Sequence, residues 1–313
     1  MSHIFDALQR AESESAGAES PMFSLATELL QAAEQKMRVA DTVIEQHASA
    51  DGEQHRGAES LDSNPAARFQ DLEQCPVLPV SIPLEGRLVS VGKEESLGAE
   101  KFRFLAVRLR QLRQSRPLKK ILITSTIPQE GKSTVAANLA CTLARRKQHK
   151  TLLLEGDLRR PTVAAQFGLG RIPGLCEWLS GQTKGINLYR LESLGLWVLP
   201  AGAAPQNPLE LMQSGKLLSL MGQLEAWFDW IVIDSPPVLP LADASIWSRL
   251  ADGILLVTRP GVTEKQQLQR GLATLEVKKL LGALVNGSTD VARSDYYQRY
   301  SPPASSPESD SNK

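Results

Sequence analysis

The chain is poor in cysteine, in aromatic residues, in net charge and in long apolar runs. Three cysteines (Cys75, Cys141, Cys176) are scattered through 313 residues with no C-x-x-C spacing. That excludes a disulfide framework and a cysteine zinc site, and it suits a reducing compartment. Lysine plus arginine balance aspartate plus glutamate, 35 to 35. A chain without net charge lacks the electrostatic footprint of bulk nucleic-acid binding, so no nucleic acid is expected as a partner. No apolar run approaches the ~18 residues that a membrane span needs. The opening MSHIFDALQRAES has neither a basic n-region nor an apolar h-region, so it does not read as a signal peptide. The expectation is a soluble, cytoplasmic protein. Any membrane association is then peripheral, at the inner face of the plasma membrane and through a partner.

What is present divides the chain into four parts. Residues 1–60 hold eleven Asp/Glu against four Lys/Arg and read as an acidic, partly helical, largely disordered extension. Residues 61–98 carry Pro65, Pro76, Pro79, Pro83, Gly86, Gly92 and Gly98 and read as an extended linker. From Ala99 the pattern changes. AEKFRFLAVRLRQLRQSR places Phe102, Leu105, Leu109 and Leu112 on one helical stripe, with arginines elsewhere. Apolar strands then alternate with helical patterns as far as 287. Strands are expected at Ile121–Ser125, Lys150–Leu154, Leu196–Pro200, Asp229–Asp234, Ile254–Thr258 and Ala283–Asn286, with helices over Pro208–Trp227 and Thr263–Leu280 between them. That order predicts an α/β domain over 99–287, mostly parallel, with helices on both faces of the sheet. Residues 288–313 are polar and rich in Pro and Ser, a disordered tail. Three of the chain's four tyrosines cluster there: Tyr296, Tyr297 and Tyr300.

The chemistry gathers at strand ends, where ligands of such sheets bind. ILITSTIPQEGKST runs strand, loop, helix, which is the context of a Walker A phosphate loop. Its backbone N–H groups and the helix N-terminus form a positive cradle for phosphate. The nucleotide-binding candidates are Gln129, Glu130, Gly131, Lys132, Ser133 and Thr134. Lys132 reaches the β and γ oxygens of ATP, and the Ser133 hydroxyl can ligate Mg²⁺. Thr126 stands where the full pattern has glycine. Asp234 ends the apolar run of IVIDSPP, a Walker B arrangement that orients Mg²⁺. Glu155 and Asp157 end the strand of TLLLEGDLRRP. Such a carboxylate cluster requires a cation and Lys132 to offset its repulsion. The metal candidates are Ser133, Asp157 and Asp234. The catalytic set is Lys132, Glu155, Asp157 and Asp234, and an acid not bound to metal could take a proton from an incoming hydroxyl.

These motifs together resemble the bacterial tyrosine autokinases of the capsular and exopolysaccharide (CpsD/CapB) family. The residues that carry the resemblance are TSTIPQEGKST, TLLLEGDLRRP as the additional A′ motif, IVIDSPP, the EKFRFLAVRLR helix and the tail tyrosines, over roughly Ala99–Tyr300. The resemblance implies a P-loop NTPase fold of the MinD/ParA-like kind. It implies that ATP and Mg²⁺ are bound, that Tyr296, Tyr297 and Tyr300 accept phosphate, and that polysaccharide synthesis or export is regulated with a membrane-bound co-polymerase or activator. It also implies a homo-oligomer, and it accounts for Thr126. Two positions depart from the family. Glu155 stands where the first A′ acid is usually aspartate, and Ala106 stands where the E-x-x-R-x-x-R helix pattern has its second arginine. Two other readings are an ATPase switch of the MinD/ParA kind and an ATP-binding scaffold without phosphotransfer. The switch proteins carry a further lysine near the start of the loop, where this chain has Ile127, Pro128 and Gln129.

Overall fold

A computed structural model describes residues 72–83, 87–92, 96–239 and 241–287. The readings for residues 1–60 and for the tyrosine tail lie outside the described residues. Helix α1 covers Leu97–Ser115, begun by the Ser96 side chain, which accepts a hydrogen bond from the Ala99 N–H. Strand β1 (Lys120–Ser125) feeds α2 (Lys132–Ala144), and β2 is Thr151–Glu155. Two short helices follow, α3 (Val163–Gln166) and α4 (Leu175–Leu179), then strands β3 (Tyr189–Leu191) and β4 (Leu196–Leu199). Helices α5 (Pro208–Gln213) and α6 (Lys216–Trp227) lead to β5 (Trp230–Asp234) and α7 (Asp243–Leu250). Strand β6 is Gly253–Thr258, α8 is Lys265–Ala273 and β7 is Leu280–Val285.

The seven strands stand in the order β3-β4-β2-β5-β1-β6-β7. All neighbours are parallel except β3, which runs antiparallel to β4 at one edge. Apart from the half-buried Lys120 that opens β1, the central strands are buried, as a sheet covered on both faces requires. Alternate residues point to opposite faces. Ile121 and Ile123 of β1 join Ala106, Leu109 and the apolar side of α2 in one core cluster. Leu122 joins Leu217, Leu220, Leu224 and Trp247 in the other. Ala106 is fully buried, so the position where the family has its second arginine faces inward here.

Three expectations change. The single helix expected over Pro208–Trp227 is two helices with a break at Ser214 and Gly215. The helix expected to reach Leu280 ends at Ala273, and β7 starts at Leu280, because that residue pairs with Ile254 on β6. The linker is extended, as its prolines dictate, but its described stretches are strapped to the domain. The Leu78 N–H donates to the Arg190 carbonyl (3.0 Å) and the Arg190 N–H to the Pro76 carbonyl (2.9 Å), which prolongs the sheet edge beyond β3. Leu88 and Ser90 are buried, with the Ser90 N–H on Asn138 Oδ1 at 2.9 Å.

Candidate active site

Parallel register brings the carboxyl ends of β1, β2 and β5 together. Asp234 lies beside Ile123 on one side and Glu155 on the other. From β1 the chain enters the phosphate loop. Gln129 and Gly131 both take positive φ, 68° and 88°. Glycine suits this conformation and glutamine does not, so Gln129 is a strained residue in a functional loop. At Gly131 space decides as well, since a Cβ there would come within 2.1 Å of the Asn286 amide nitrogen. Thr126 is fully buried, and its side chain packs towards Gly271 on α8, away from the cradle. The missing loop glycine is thus matched by a glycine on the neighbouring helix.

A cavity of about 510 Å³ opens above this loop. Gln129, Gly131, Lys132, Ser133 and Thr134 line it from the loop, and Asp157, Arg159, Arg160, Thr162 and Gln166 from the opposite wall. Across it the Lys132 Nζ lies 3.0 Å from Asp157 Oδ2. The other Asp157 oxygen accepts the Arg160 N–H at 3.1 Å. The two groups are largely buried, which makes this a strong pairing compared with a surface ion pair.

Not every expected residue faces the cavity. Glu130 is fully buried, its carboxylate accepting the Ile127 N–H at 2.8 Å and the Thr263 hydroxyl. Its side chain braces the loop, and only its backbone can meet a nucleotide. Glu155 is also fully buried. Its Oε1 accepts the N–H groups of Thr162 and Val163, and its Oε2 accepts the Ala201 N–H at 3.0 Å. Both oxygens are therefore engaged by backbone, at the start of α3 and at the end of β4. Burial raises its pKa, the three N–H groups oppose that, and the neighbouring Asp157 adds to the rise. This is the geometry of a brace, not of a base waiting for a hydroxyl. The sequence departure at 155 fits this, since a longer acid spans from β2 to both partners.

Asp234 is different. It is fully buried, and neither oxygen accepts a hydrogen bond of good geometry. Burial lifts its pKa to about 7, while the Lys132 charge and the nearby Ser133 hydroxyl hold it down. Glu155 and Asp157 push it further up. An orphaned carboxylate beside a lysine and a serine fits a divalent cation. No group of three or more His, Cys, Asp or Glu among the described residues forms a ready metal cage. Arg159, Arg160, Thr162 and Gln166 were not singled out as site residues from sequence. The RRP run after the A′ acids was the available signal.

No protein-family model matches the chain. It is 36% identical over 219 residues to tyrosine-protein kinase YwqD of Bacillus subtilis (strain 168), across 68% of this chain and 91% of that protein. The chain belongs to the bacterial tyrosine-protein kinases. It is also 34% identical to the putative tyrosine-protein kinase CapB of Staphylococcus aureus, across 66% of this chain and 92% of the relative. Among solved structures, the kinase domain of Escherichia coli tyrosine kinase ETK matches with a TM-score of 0.60 at 27% identity, covering 70% of this chain and 84% of that one. The chimerical protein CapA2B2 matches with a TM-score of 0.60 at 31% identity, covering 67% and 93%. Among the described residues no helix is long and apolar enough to cross a membrane.

Proposed function

We propose that this tyrosine kinase transfers the γ-phosphoryl group of ATP to tyrosine hydroxyls, and that Tyr296, Tyr297 and Tyr300 of its own tail are among the acceptors. The observation that carries the reading is the Lys132–Asp157 pair, 3.0 Å apart beside a buried and unpartnered Asp234. The loop N–H groups and Lys132 hold the β and γ phosphates. Ser133 and Asp234 would hold Mg²⁺, which would supply charge neutralisation on the phosphate oxygens. With ATP present Lys132 turns to phosphate and leaves Asp157 Oδ2 open to the acceptor. The phenolic oxygen then bonds to the γ phosphorus, and the bond to the bridging oxygen breaks with its electrons leaving on ADP. The phenolic proton passes to Asp157. We assign the proton to Asp157 rather than to Glu155, because the Glu155 oxygens are both engaged.

The root of the tail supports this reading. Asn286, just past β7, donates from its side-chain amide to the Glu130 carbonyl at 2.9 Å. The tail therefore starts against the phosphate loop, and from Asn286 to Tyr296 an extended chain spans at most about 34 Å. We assign the acceptor tail to a neighbouring copy. On α1, Phe104 and Val107 are exposed beside the Glu100–Arg103 pair, an apolar surface suited to another subunit. We propose further that its partner in polysaccharide synthesis or export is a membrane-bound co-polymerase or activator, and that this partner brings the cytoplasmic kinase to the inner face of the plasma membrane.

The test is incubation of purified protein with Mg·ATP and mapping of phosphate by mass spectrometry. Phosphate is expected on the tail tyrosines and not on a Lys132→Ala protein alone. Mixing Lys132→Ala protein with an active protein whose three tail tyrosines are Phe should label the inactive chain. A wild-type protein that labels no tyrosine overturns the kinase reading. An unlabelled inactive chain, with wild type labelling at a concentration-independent rate, overturns transfer between subunits.

A further inference from the structure

Helix α7 contributes no side chain to the phosphate cradle, yet it grips the A′ segment on either side of Asp157. Trp247 is fully buried, and its indole N–H donates to the Gly156 carbonyl at 2.9 Å. The Gly156 N–H donates to the Asp234 carbonyl at 2.6 Å. The indole packs directly on this backbone: a Cβ at Gly156 would lie 2.6 Å from the Trp247 ring and 2.9 Å from the Asp234 oxygen. Four residues earlier, on the same side of α7, Asp243 is buried and takes Arg159 in a two-point pair. Arg159 Nε reaches one carboxylate oxygen at 2.7 Å and Nη2 the other at 3.2 Å. One helix turn thus holds Gly156 before the catalytic acid and Arg159 after it.

We propose that Trp247 and Asp243 are positioning residues that set where Asp157 stands opposite Lys132. What Asp157 does there rests on the kinase reading, but the clamp itself does not. The phosphate loop has other supports, in Glu130, Thr263 and Asn286. The clamp should therefore govern the rate of transfer and not the binding of nucleotide. A displacement of Asp157 by a fraction of an ångström is enough to slow a proton-coupled transfer about tenfold.

The experiment uses the full chain. Trp247→Phe removes the indole donor and keeps an aromatic ring. Its kcat should fall about tenfold while Mg·ATP affinity, measured by calorimetry, stays within about threefold. Hydrogen exchange read by mass spectrometry should rise about tenfold or more in peptides covering 155–160 and stay unchanged in peptides covering 126–134. Asp243→Asn and Arg159→Gln should each slow transfer. The double variant, which faces amide to amide without a lone charge, should bring exchange at 155–160 back to within about threefold of wild type. The clamp is overturned if exchange at 155–160 in Trp247→Phe matches wild type, whatever the activity. It is also overturned if affinity and kcat of Trp247→Phe fall together, or if exchange at 155–160 in the double variant is no closer to wild type than in the worse single one. A wild-type protein with no phosphotransfer sinks the kinase reading instead, and the exchange measurement still decides the clamp.

Discussion

The phosphate loop and the A′ segment meet across one cavity, but they are held in different ways. Residues 126–134 are turned by near neighbours, with Thr263 and Asn286 bracing Glu130 from far along the chain. The Glu130 carboxylate accepts the N–H of Ile127, the Ser125 hydroxyl donates to the Ile127 carbonyl at 2.8 Å, and Gly131 turns the chain into α2. Residues 155–163 are shaped from far away. Glu155 reaches Ala201, Gly156 is held by Asp234 and Trp247, and Arg159 is held by Asp243. A locally shaped loop can be recognised in a string of residues. A loop shaped by remote partners shows only which chemical groups it carries.

The sharpest break of this contrast comes at Lys132, whose side chain spans both loops. Lys132→Ala should lower tyrosine phosphorylation on the order of 10³-fold and abolish tight Mg·ATP binding, with the fold retained. Radiolabel transfer and calorimetry check both. Unchanged nucleotide affinity would show that the cradle is not a phosphate site.

Asp234 tests the floor between the loops. Its pKa rises from 3.8 to about 7 in the metal-free fold. The folded state then binds more protons than the unfolded chain between those values, so stability falls as pH rises from about 4 to 7 and the full cost of the buried charge is present above 7. Asp234→Asn should stabilise the metal-free protein at pH 8 by on the order of 2–4 kcal/mol, give no gain at pH 4, and weaken Mg²⁺ dependence about 10²-fold. Urea melts at both pH values, with and without Mg²⁺, measure this. Equal stabilisation at both would show that Asp234 is not titrating as argued.

Glu155 separates brace from base. An amide at 155 cannot accept from N–H groups at both ends, so Glu155→Gln should cost about 1–3 kcal/mol of stability. Transfer in the folded protein should stay within about tenfold of wild type. A loss of about 10²-fold with full stability would return the role of base to Glu155. The smallest effect belongs to Gln129. Gln129→Gly removes an unfavourable positive φ but adds chain entropy, so stability should move by no more than about 1 kcal/mol. A larger loss in thermal melts would mean that the glutamine side chain holds the loop.

The residues of this chain were enough to read the alternation of strands and helices, because apolar runs bounded by loops report burial directly. They also marked the GKST cradle and three acids at strand ends, since a phosphate site demands those groups in sequence order. The antiparallel edge strand Tyr189–Leu191 escaped notice, being three residues long and paired only through its neighbours. So did α7, which is only eight residues long. Which acid is braced and which is free was likewise invisible. Glu155, Asp157 and Asp234 are alike as letters, and their difference lies in the hydrogen-bond donors that surround them. Beside the nearby N–H groups of Thr162, Val163 and Arg160, they include the Ala201 N–H on Glu155, 46 positions away, and the Lys132 ammonium on Asp157. Only folding brings Ala201 and Lys132 to these acids, so the sequence determined the inventory of the site, and the tertiary structure decided which carboxylate is braced by backbone, which is paired with lysine and which is buried without a hydrogen-bond donor.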